Sequence, residues 1–209
     1  MKISYAVTVC NELEEIKRLL DFLANKKRDI DEIVIQFDSS GGSEQVKEYI
    51  EDFVIEHSES NVSVCYFPLD NNFAAFKNNL SKQCAGDYVF QIDADEIPSE
   101  VLIDNLPQIL EQNDIDVIMV PRINTVEGLT EAHVAKWRWH INEHGWVNWP
   151  DYQWRIYRQA ESITWERPVH EVLAGYKTIT QLPAVADLSL VHSKTIDRQE
   201  QQNKFYENL

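Results

Sequence analysis

The chain has 209 residues, and its 19 Lys and Arg residues against 35 Asp and Glu residues give a formal net charge of −16. With 44% hydrophobic and 26% charged residues, the composition is that of a globular protein and excludes a disordered chain. A field of this sign repels phosphate backbones and anionic membranes, so it disfavours nucleic-acid partners, whereas it suits a site for a divalent cation.

The sequence shows no sign of export or of membrane insertion. No stretch approaches the ~18 apolar residues that span a bilayer, and the apolar N-terminal stretch meets Asn11 too soon for a secretory leader. The cysteines Cys10, Cys65 and Cys84 are odd in number and predict reduced thiols rather than a disulfide framework. We therefore expect a cytoplasmic protein with no integral membrane segment.

Short apolar runs alternate with amphipathic segments through the first 123 residues. The runs predict strands, and apolar residues spaced three or four apart predict helices between them. The expected strands span residues 3–9, 33–37, 62–67, 88–92 and 117–120, and the expected helices span 13–23, 46–53, 73–84 and a segment that Pro107 interrupts or starts. Such alternation implies right-handed crossovers, so we predict an α/β fold with a mostly parallel sheet flanked by helices.

The sequence changes character after about residue 123. All six tryptophans lie between positions 137 and 165. Strand-like pieces follow at 153–158 and 188–191, and a polar helix is expected from Thr195. No segment rich in Pro, Gly or Ser separates the two parts, so we expect one domain whose second part forms the other side of a cleft.

Asp-x-Asp occurs three times, so the pattern alone carries little weight. The copies at 29–31 and 114–116 come just before predicted strands, and we interpret them as structural. Asp93 and Asp95 instead follow a strand, and ligands of open α/β sheets bind outside the carboxyl ends of the strands. Carboxylates that converge there repel each other unless a cation neutralises them, which favours Mg²⁺ or Mn²⁺ over the alternative that these acids cap the next helix.

Asp38 ends the neighbouring predicted strand. There it is either an acceptor for a base N–H or a ribose hydroxyl, or a turn residue ahead of Gly41 and Gly42. Neither G-x-G-x-x-G nor G-x-x-x-x-G-K-[ST] occurs in the chain. The sequence therefore argues against both a Rossmann dehydrogenase and a P-loop phosphotransferase.

Several segments, in their order and spacing, resemble the family 2 glycosyltransferases of the GT-A fold. They are the first strand ending in Val9-Cys10-Asn11-Glu12, the second ending in Asp38-Ser39, the segment 71–80 running into Ala85-Gly86-Asp87-Tyr88, and the motif Gln91-Ile92-Asp93-Ala94-Asp95-Glu96. Segments 151–158, 169–171 and 190–194 resemble the subgroup that transfers sugars in lipopolysaccharide and surface-glycan assembly. The whole chain also looks like a capsid-glycan transferase domain of a large DNA virus of algae, of the chlorella-virus type, which would act in the host cytoplasm.

The resemblance implies a single GT-A domain over 1–209, with a nucleotide-sugar-binding half at 1–123 and an acceptor-side half at 124–209. It implies nucleotide binding at Val9, Asn11, Glu12, Asp38, Lys77, Asp93 and Ala94, and metal binding at Asp93, Asp95 and His192. The implied donor is a UDP-sugar, with uracil at Asp38, ribose at Asp93, and Mn²⁺ or Mg²⁺ at Asp95 bridging the two phosphates. Lys77 stands where the family usually has Arg, so it would meet the nucleotide without bidentate geometry.

The implied reaction moves the sugar to a hydroxyl of a glycan, glycolipid or glycoprotein. An inverting enzyme needs a base at that hydroxyl, normally an Asp or Glu. Asp151 and Glu171 are the candidates, and the sequence does not choose between them. The alternative is that they are surface acids or ion-pair partners of Arg155 or Arg167. A retaining enzyme would have no such base, and the sequence leaves the stereochemistry open.

The aromatic and histidine residues of the second half have two interpretations each. Tryptophans stack on sugars or form a small core, and we expect most to be core, with one or two of Trp137, Trp139, Trp146 and Trp149 facing the sugar. His140 and His144 flank Glu143, but the order is not H-E-x-x-H, so a zinc site is disfavoured. His192 follows an apolar strand and is either a metal or phosphate contact or a structural residue.

Two other functions remain open at this stage. A nucleotidyltransferase that makes sugar nucleotides would want a Gly-rich basic loop after the first strand, where this chain is acidic from Glu12 to Glu15. The second alternative function is that of a non-catalytic module that binds nucleotides or glycans. The three intact aspartates at the strand ends argue against this module.

Overall fold

The structure is a computed structural model that describes residues 1–207. Its strands are β1 (Ile3–Val9), β2 (Glu32–Asp38), β3 (Val62–Phe67), β4 (Tyr88–Asp93), β5 (Glu96–Pro98), β6 (Val117–Glu127), β7 (Val147–Arg158), β8 (Thr164–Glu166), β9 (Val172–Ala174), β10 (Ile179–Gln181) and β11 (Leu190–Thr195). Its helices are α1 (Leu13–Lys26), α2 (Glu44–Glu56), α3 (Phe73–Gln83), α4 (Glu100–Gln112), α5 (Glu131–Trp137) and α6 (Ile196–Glu207), with a 3₁₀ turn at Ala186–Leu188.

Nine strands form one sheet in the order β3-β2-β1-β4-β7-β6-β11-β5, with β10 paired to β6. β7 runs antiparallel to β4 and β6, and β5 runs antiparallel to β11, whereas the other pairings are parallel. The predicted α/β class with a mostly parallel, mixed sheet is therefore confirmed. β8 and β9 form a separate antiparallel pair.

Alternating side chains of the central strands build a core on each face of the sheet. Tyr5 and Val7 of β1 belong to the core that α1, α2 and α4 cover, while Ala6 belongs to the core beneath α3. Each fully buried Leu or Ile in these cores contributes roughly 1.5–3 kcal/mol. The helices thus lie on both faces, as the sequence predicts, and the edge formed by the strand ends is left open.

Some element bounds differ from the expected ones. β6 continues to Glu127 because its outer half pairs with β11. The strand expected at 188–191 begins only at Leu190, since the preceding residues form the 3₁₀ turn. Pro107 lies inside α4, which begins after Ser99 and continues to Gln112.

The cysteines are free thiols. None of the helices in residues 1–207 combines the length and the apolar character that crossing a bilayer requires.

Candidate functional site

The parallel strands β1, β2, β4, β6 and β11 point in one direction, so their carboxyl ends lie at one edge of the sheet. A cavity of about 580 Å³ opens at this edge. The sequence-predicted site residues that line it are Val9, Glu12, Asp38, Lys77, Asp93, Ala94, Asp95, Asp151, Glu171 and His192. Asn11 is exposed and lies outside the lining. The topology thus gathers residues from both halves of the chain into one cleft.

Asp38 offers one carboxylate oxygen to the cavity. Its Oδ1 accepts hydrogen bonds from the backbone N–H of Ser40 at 2.9 Å, the Ser40 hydroxyl at 2.6 Å and the backbone N–H of Leu69 at 3.0 Å. Its Oδ2 has the Cys10 thiol at 3.6 Å. Burial raises the pKa of Asp38, but the Ser40 and Leu69 hydrogen bonds outweigh it and hold this pKa below its usual range. The charged Oδ2 is suited to accept an N–H or O–H from a ligand.

The turn after β1 is closed by the side chain of Glu12. Its Oε2 accepts the backbone N–H groups of Cys10 at 2.8 Å and Asn11 at 2.9 Å. Across the strand end, the N–H of Ala94 donates to the carbonyl of Thr8 at 3.0 Å. A carboxylate therefore occupies the backbone donors that a phosphate would otherwise find at this turn.

Asp93 has both carboxylate oxygens bonded to protein donors. Oδ2 accepts from Arg155 NH2 at 2.6 Å, and Oδ1 accepts from the Thr8 hydroxyl at 2.8 Å and the Gln91 amide at 2.9 Å. Lys77 Nζ lies 3.8 Å from Oδ1. Burial raises the pKa of Asp93, but Arg155, Lys77 and the hydrogen bonds from Gln91 and Thr8 together outweigh it and hold this pKa well below its usual range, so the carboxyl stays ionised. Its position is consequently fixed before any ligand arrives.

Glu96 lies fully buried behind Asp93 and receives two arginines. Arg155 donates to it from Nε at 2.9 Å and from NH2 at 2.7 Å, a bidentate fork. Arg122 donates from NH1 at 2.9 Å, and the backbone N–H of Asp93 adds a contact at 3.2 Å. The Nε–NH2 edge of Arg122, which does not contact Glu96, points towards Asp151 on the acceptor side.

Asp151 accepts hydrogen bonds from the Nε–NH2 edge of the Arg122 guanidinium. Its Oδ2 receives Arg122 Nε at 3.0 Å, Arg122 NH2 at 2.7 Å and the Asn124 amide at 2.8 Å, whereas Oδ1 receives the Gln153 amide at 2.7 Å. Burial raises the pKa of Asp151, but Arg122 and the amide donors bring it below its usual range. We call the alternating chain of charges the Glu96 network; its members are Asp93, Arg155, Glu96, Arg122 and Asp151.

Glu171 forms an ion pair with Lys77, which is itself buried and lies 4.7 Å from the ring centre of Trp165. Lys77 is thus shared between Glu171 and Asp93 inside the cavity wall. The expectation that Arg155 or Arg167 forms the ion pairs of the two candidate acids is wrong. Glu171 pairs with Lys77, and Asp151 pairs with Arg122, because β7 and β6 place Arg122 directly opposite Asp151.

Asp95 and His192 face each other across the β5–β11 pairing. His192 Nε2 lies 3.2 Å from Asp95 Oδ2, and its Nδ1 lies 2.7 Å from the side-chain oxygen of Asn124. Because the Asn124 amide donates to Asp151, this oxygen must accept, so Nδ1 carries a hydrogen and Nε2 of a neutral imidazole presents a lone pair. Two acceptors at this spacing share either a proton or a cation.

The donor set fits a cation that takes part of its coordination from a ligand. Within residues 1–207 no group of three or more His, Cys, Asp or Glu residues is arranged to hold a metal. Asp95 and His192 could supply two ligands, and hard cations are commonly held by one or two protein groups plus phosphate oxygens and water. Burial raises the pKa of Asp95, but a protonated His192, which donates from Nε2, and the charge of Lys194 outweigh it and hold this pKa well below its usual range.

The helix α6 covers one side of the cavity. Its Arg198 donates to Glu12 at 3.3 Å, pairs with Glu15, and lies 3.7 Å from Asp95 Oδ2. Lys194, at the end of β11, lies 3.8 Å from the same oxygen. The sequence predicts the helix but assigns it no role at the site. Lys194 ends segment 190–194, which resembles the surface-glycan subgroup, whereas Arg198 lies in no recognisable motif.

The tryptophans do not form the core that the sequence predicts for most of them. Only Trp165 is buried, at 3% exposure, with Trp154 packed against its cluster. The four others are half-buried and contact each other in pairs, Trp137 and Trp139 with tilted rings and Trp146 and Trp149 edge to face. They lie on α5, on the loop that follows it and at the start of β7, and none belongs to the two cores of the sheet. Of these four, Trp139 lines the cavity.

The remaining acidic and histidine motifs hold the scaffold. Asp31 receives Arg28 and the N–H of Ile3, and Asp116 receives Arg158 together with the N–H groups of residues 177 and 178. His140 and His144 lie outside any helix, so the helical spacing that a zinc pair requires is missing.

Comparison with known proteins identifies the family. The model described as Glycosyl transferase family 2 matches residues 4–179. No curated protein sequence matches the chain.

Similar solved structures share the fold at low identity. TarS 1-349 of S. aureus in complex with UDP-GlcNAc is 16% identical, with a TM-score of 0.65 over 93% of this chain and 59% of that chain. TarS 1-349 itself gives a TM-score of 0.64 at 16% identity over 92% and 60%. Mannosyltransferase PcManGT from Pyrobaculum calidifontis, in complex with GDP-Man and Mn2+, gives 0.50 at 17% identity over 57% and 35%. The chain thus spans less than two thirds of the TarS 1-349 length.

Proposed function

The chain belongs to glycosyl transferase family 2 and has the GT-A fold of a glycosyltransferase, an EC 2.4 enzyme, and from that premise we propose that it moves a sugar from a UDP-sugar to an acceptor hydroxyl. The observation that carries this proposal is the convergence of Asp38, Asp93 and Asp95 on one cavity at the carboxyl edge of the sheet. The UDP-GlcNAc complex of TarS supports a uridine nucleotide. The acceptor is a glycan, glycolipid or glycoprotein, and the resemblance to surface-glycan transferases supports this class.

The donor would lie across the ends of β1, β2 and β4. Oδ2 of Asp38 accepts the N–H of the uracil, and the fixed carboxylate of Asp93 lies at the ribose. Lys77 acts from within the wall, where it balances Asp93 and Glu171, because its ammonium is buried and already paired.

Asp95 and His192 would hold the divalent cation, Mn²⁺ or Mg²⁺, and the Mn2+ in the PcManGT complex supports this choice. Such an ion supplies Lewis-acid stabilisation of the charge on a leaving diphosphate. Lys194 and Arg198 lie within 4 Å of the same Asp95 oxygen and add positive charge there.

Asp151 is the base that the geometry favours. Three donors occupy its Oδ2, while Oδ1 accepts only from neutral Gln153 and keeps a lone pair for a hydroxyl. Glu171 remains the alternative and is paired with a buried ammonium. Asp151 takes the acceptor proton as the acceptor oxygen bonds to the anomeric carbon, and the bond from that carbon to the diphosphate oxygen breaks with its electron pair leaving on UDP.

The two alternative functions have less support. A nucleotidyltransferase needs free backbone donors for a triphosphate after β1, and Glu12 occupies those donors here. A non-catalytic module does not account for an acceptor-side carboxylate held by the half-buried Arg122.

A thermal-shift panel tests the proposal directly. UDP, GDP and CMP are each added with and without Mn²⁺ to the wild type, to Asp95→Ala, and to the control Asp114→Ala, whose carboxylate is 98% exposed and far from the cavity. At ~100 times the dissociation constant a ligand adds about 2.7 kcal/mol of stability, which is roughly 5–10 °C for a domain of this size. We expect this rise with UDP plus Mn²⁺ in the wild type and the control, and none in Asp95→Ala. If no nucleotide shifts the wild type, the transferase proposal loses its support.

A further inference from the structure

Glu96 has no role in donor binding or in proton transfer, yet it joins the groups that do. It is fully buried, follows Asp95 directly, and opens β5. Its two oxygens accept three arginine N–H groups that come from Arg155 on β7 and Arg122 on β6. One carboxylate therefore anchors two guanidinium groups that point to opposite sides of the cavity.

Each arginine donates to one carboxylate that has a role in the proposed function. Arg155 donates to Asp93 Oδ2 at 2.6 Å, and Arg122 donates to Asp151 Oδ2 at 2.7 Å. In Arg155, the NH2 group that donates to Asp93 is also one arm of the fork on Glu96. In Arg122, NH1 donates to Glu96 and the Nε–NH2 edge donates to Asp151. A guanidinium is planar and rigid, so its contact with Glu96 fixes the direction in which its remaining donors point. The separation between Asp93 and Asp151 is thus set by rigid groups rather than by the flexible ends of strands.

We propose that Glu96 is a positioning residue that, through Arg155 and Arg122, holds the donor-side Asp93 and the acceptor-side Asp151 at a fixed separation. This inference rests on the proposed function, in which Asp151 receives the acceptor proton. Removing Glu96 leaves Arg122 with a single carboxylate, so the arginine follows Asp151 and no longer directs it. A misplacement of about 1 Å at a reacting group costs about a hundredfold in rate.

The test compares four variants of the full chain. Glu96→Gln removes the anchor, Arg122→Gln removes the acceptor branch, and Arg122→Lys keeps its charge but not its fork. Arg158→Gln is the matched control, because Arg158 makes the same kind of fork with Asp114 and Asp116 at the far end of β7. The turnover measured is release of UDP from UDP-glucose and from UDP-N-acetylglucosamine, and the dissociation constant of UDP is measured alongside.

Turnover should fall about a hundredfold in Glu96→Gln, Arg122→Gln and Arg122→Lys, while Arg122→Gln and Arg122→Lys bind UDP within threefold of the wild type. The control should keep both values. Equal losses in turnover and in UDP affinity for the Arg122 variants, or full turnover in Arg122→Lys, would overturn the proposal.

Titration of the Asp151 carboxyl by ¹³C NMR gives a readout independent of turnover. Arg122 of β6 is the charged group in contact with Asp151, and its other contacts, Asn124 and Gln153, are neutral. The pKa of Asp151 should rise in Arg122→Gln, because a cation is lost, and fall in Glu96→Gln, because Arg122 is no longer shared. Shifts of the same sign, or none, would contradict the proposal. If the wild type releases no UDP, the proposed function fails on that result, while this titration still decides the role of Glu96. If Glu96→Gln does not fold, the variants Arg122→Gln and Arg122→Lys decide the role of Glu96.

Discussion

Three aspartates at the ends of β2 and β4 are kept ionised by three different means. Asp38 accepts backbone and hydroxyl donors, Asp93 faces Arg155 and Lys77, and Asp95 faces His192 and Lys194. Burial works against the charge in every case, so each carboxylate depends on its partners. The site therefore stores much of its stabilisation in ionised groups, and acid should weaken it.

Asp93→Asn tests this dependence on pH. The carboxyl of Asp93 has a pKa of about 3.9 in the unfolded chain and a lower pKa in the folded protein. The ionised carboxylate therefore contributes its full stability above about pH 4, and this contribution is lost as the pH falls towards the folded pKa. The melting temperature of the wild type should exceed that of the variant most at about pH 6, and the gap should narrow towards about pH 2.5. Asp114→Asn controls for the loss of one negative charge. A gap that stays constant or widens on acidification would contradict the ion-pair account.

Part of the site could be predicted from a local rule, and further members of it from the family resemblance. Asp38, Asp93 and Asp95 follow predicted strands, so the strand-end rule brings them to the cavity. Glu96 and Arg155 are 59 positions apart, and no periodicity or motif indicates that their side chains are in contact. Their pairing depends on β7 lying beside β4, a strand order that residue patterns do not encode.

At the scale of elements, two serine caps are expected to differ in strength. Ser99 Oγ accepts the N–H of Leu102 at 3.1 Å at the start of α4, and its hydroxyl also donates to the carbonyl of Asp187. Ser43 Oγ lies 3.4 Å from the N–H of Val46 at the start of α2. Ser99→Ala should destabilise the protein by about 1 kcal/mol, and Ser43→Ala should cost clearly less, as measured by urea unfolding. Equal losses would show that neither the shorter cap distance nor the Asp187 hydrogen bond strengthens the Ser99 cap.

Elements with strong local patterns were predictable, and those defined by pairing were not. The first four strands have continuous apolar runs, and α1 buries Ile16, Leu19, Leu20 and Leu23 at helical spacing. β5 and β10 each have three residues, too few for any period to appear. The first half of β7 is polar and half-exposed, so only its pairing with β6 makes it a strand.

At the scale of the whole molecule, the net charge of −16 acts against the compact state. Salt screens this self-repulsion, with a Debye length of about 10 Å at 0.1 M. The melting temperature at pH 7 should therefore rise by a few degrees between about 10 and 200 mM NaCl. Near the isoelectric point of about 4.7 the same addition should give no rise. A fall with salt at pH 7 would mean that the ion pairs of the site outweigh the general repulsion.

The position of β11 has a consequence for how the protein is made. This strand carries His192 and lies between β6 and β5, although it is synthesised long after both. Until residues 190–195 have left the ribosome, Asp95 lacks the imidazole that faces it, and β5 and the outer half of β6 lack their pairing with β11. A nascent chain therefore cannot bring Asp95 and His192 together, however well its first half has folded. Retention on immobilised UDP in the presence of Mn²⁺ would accordingly select chains whose synthesis and folding have passed this strand.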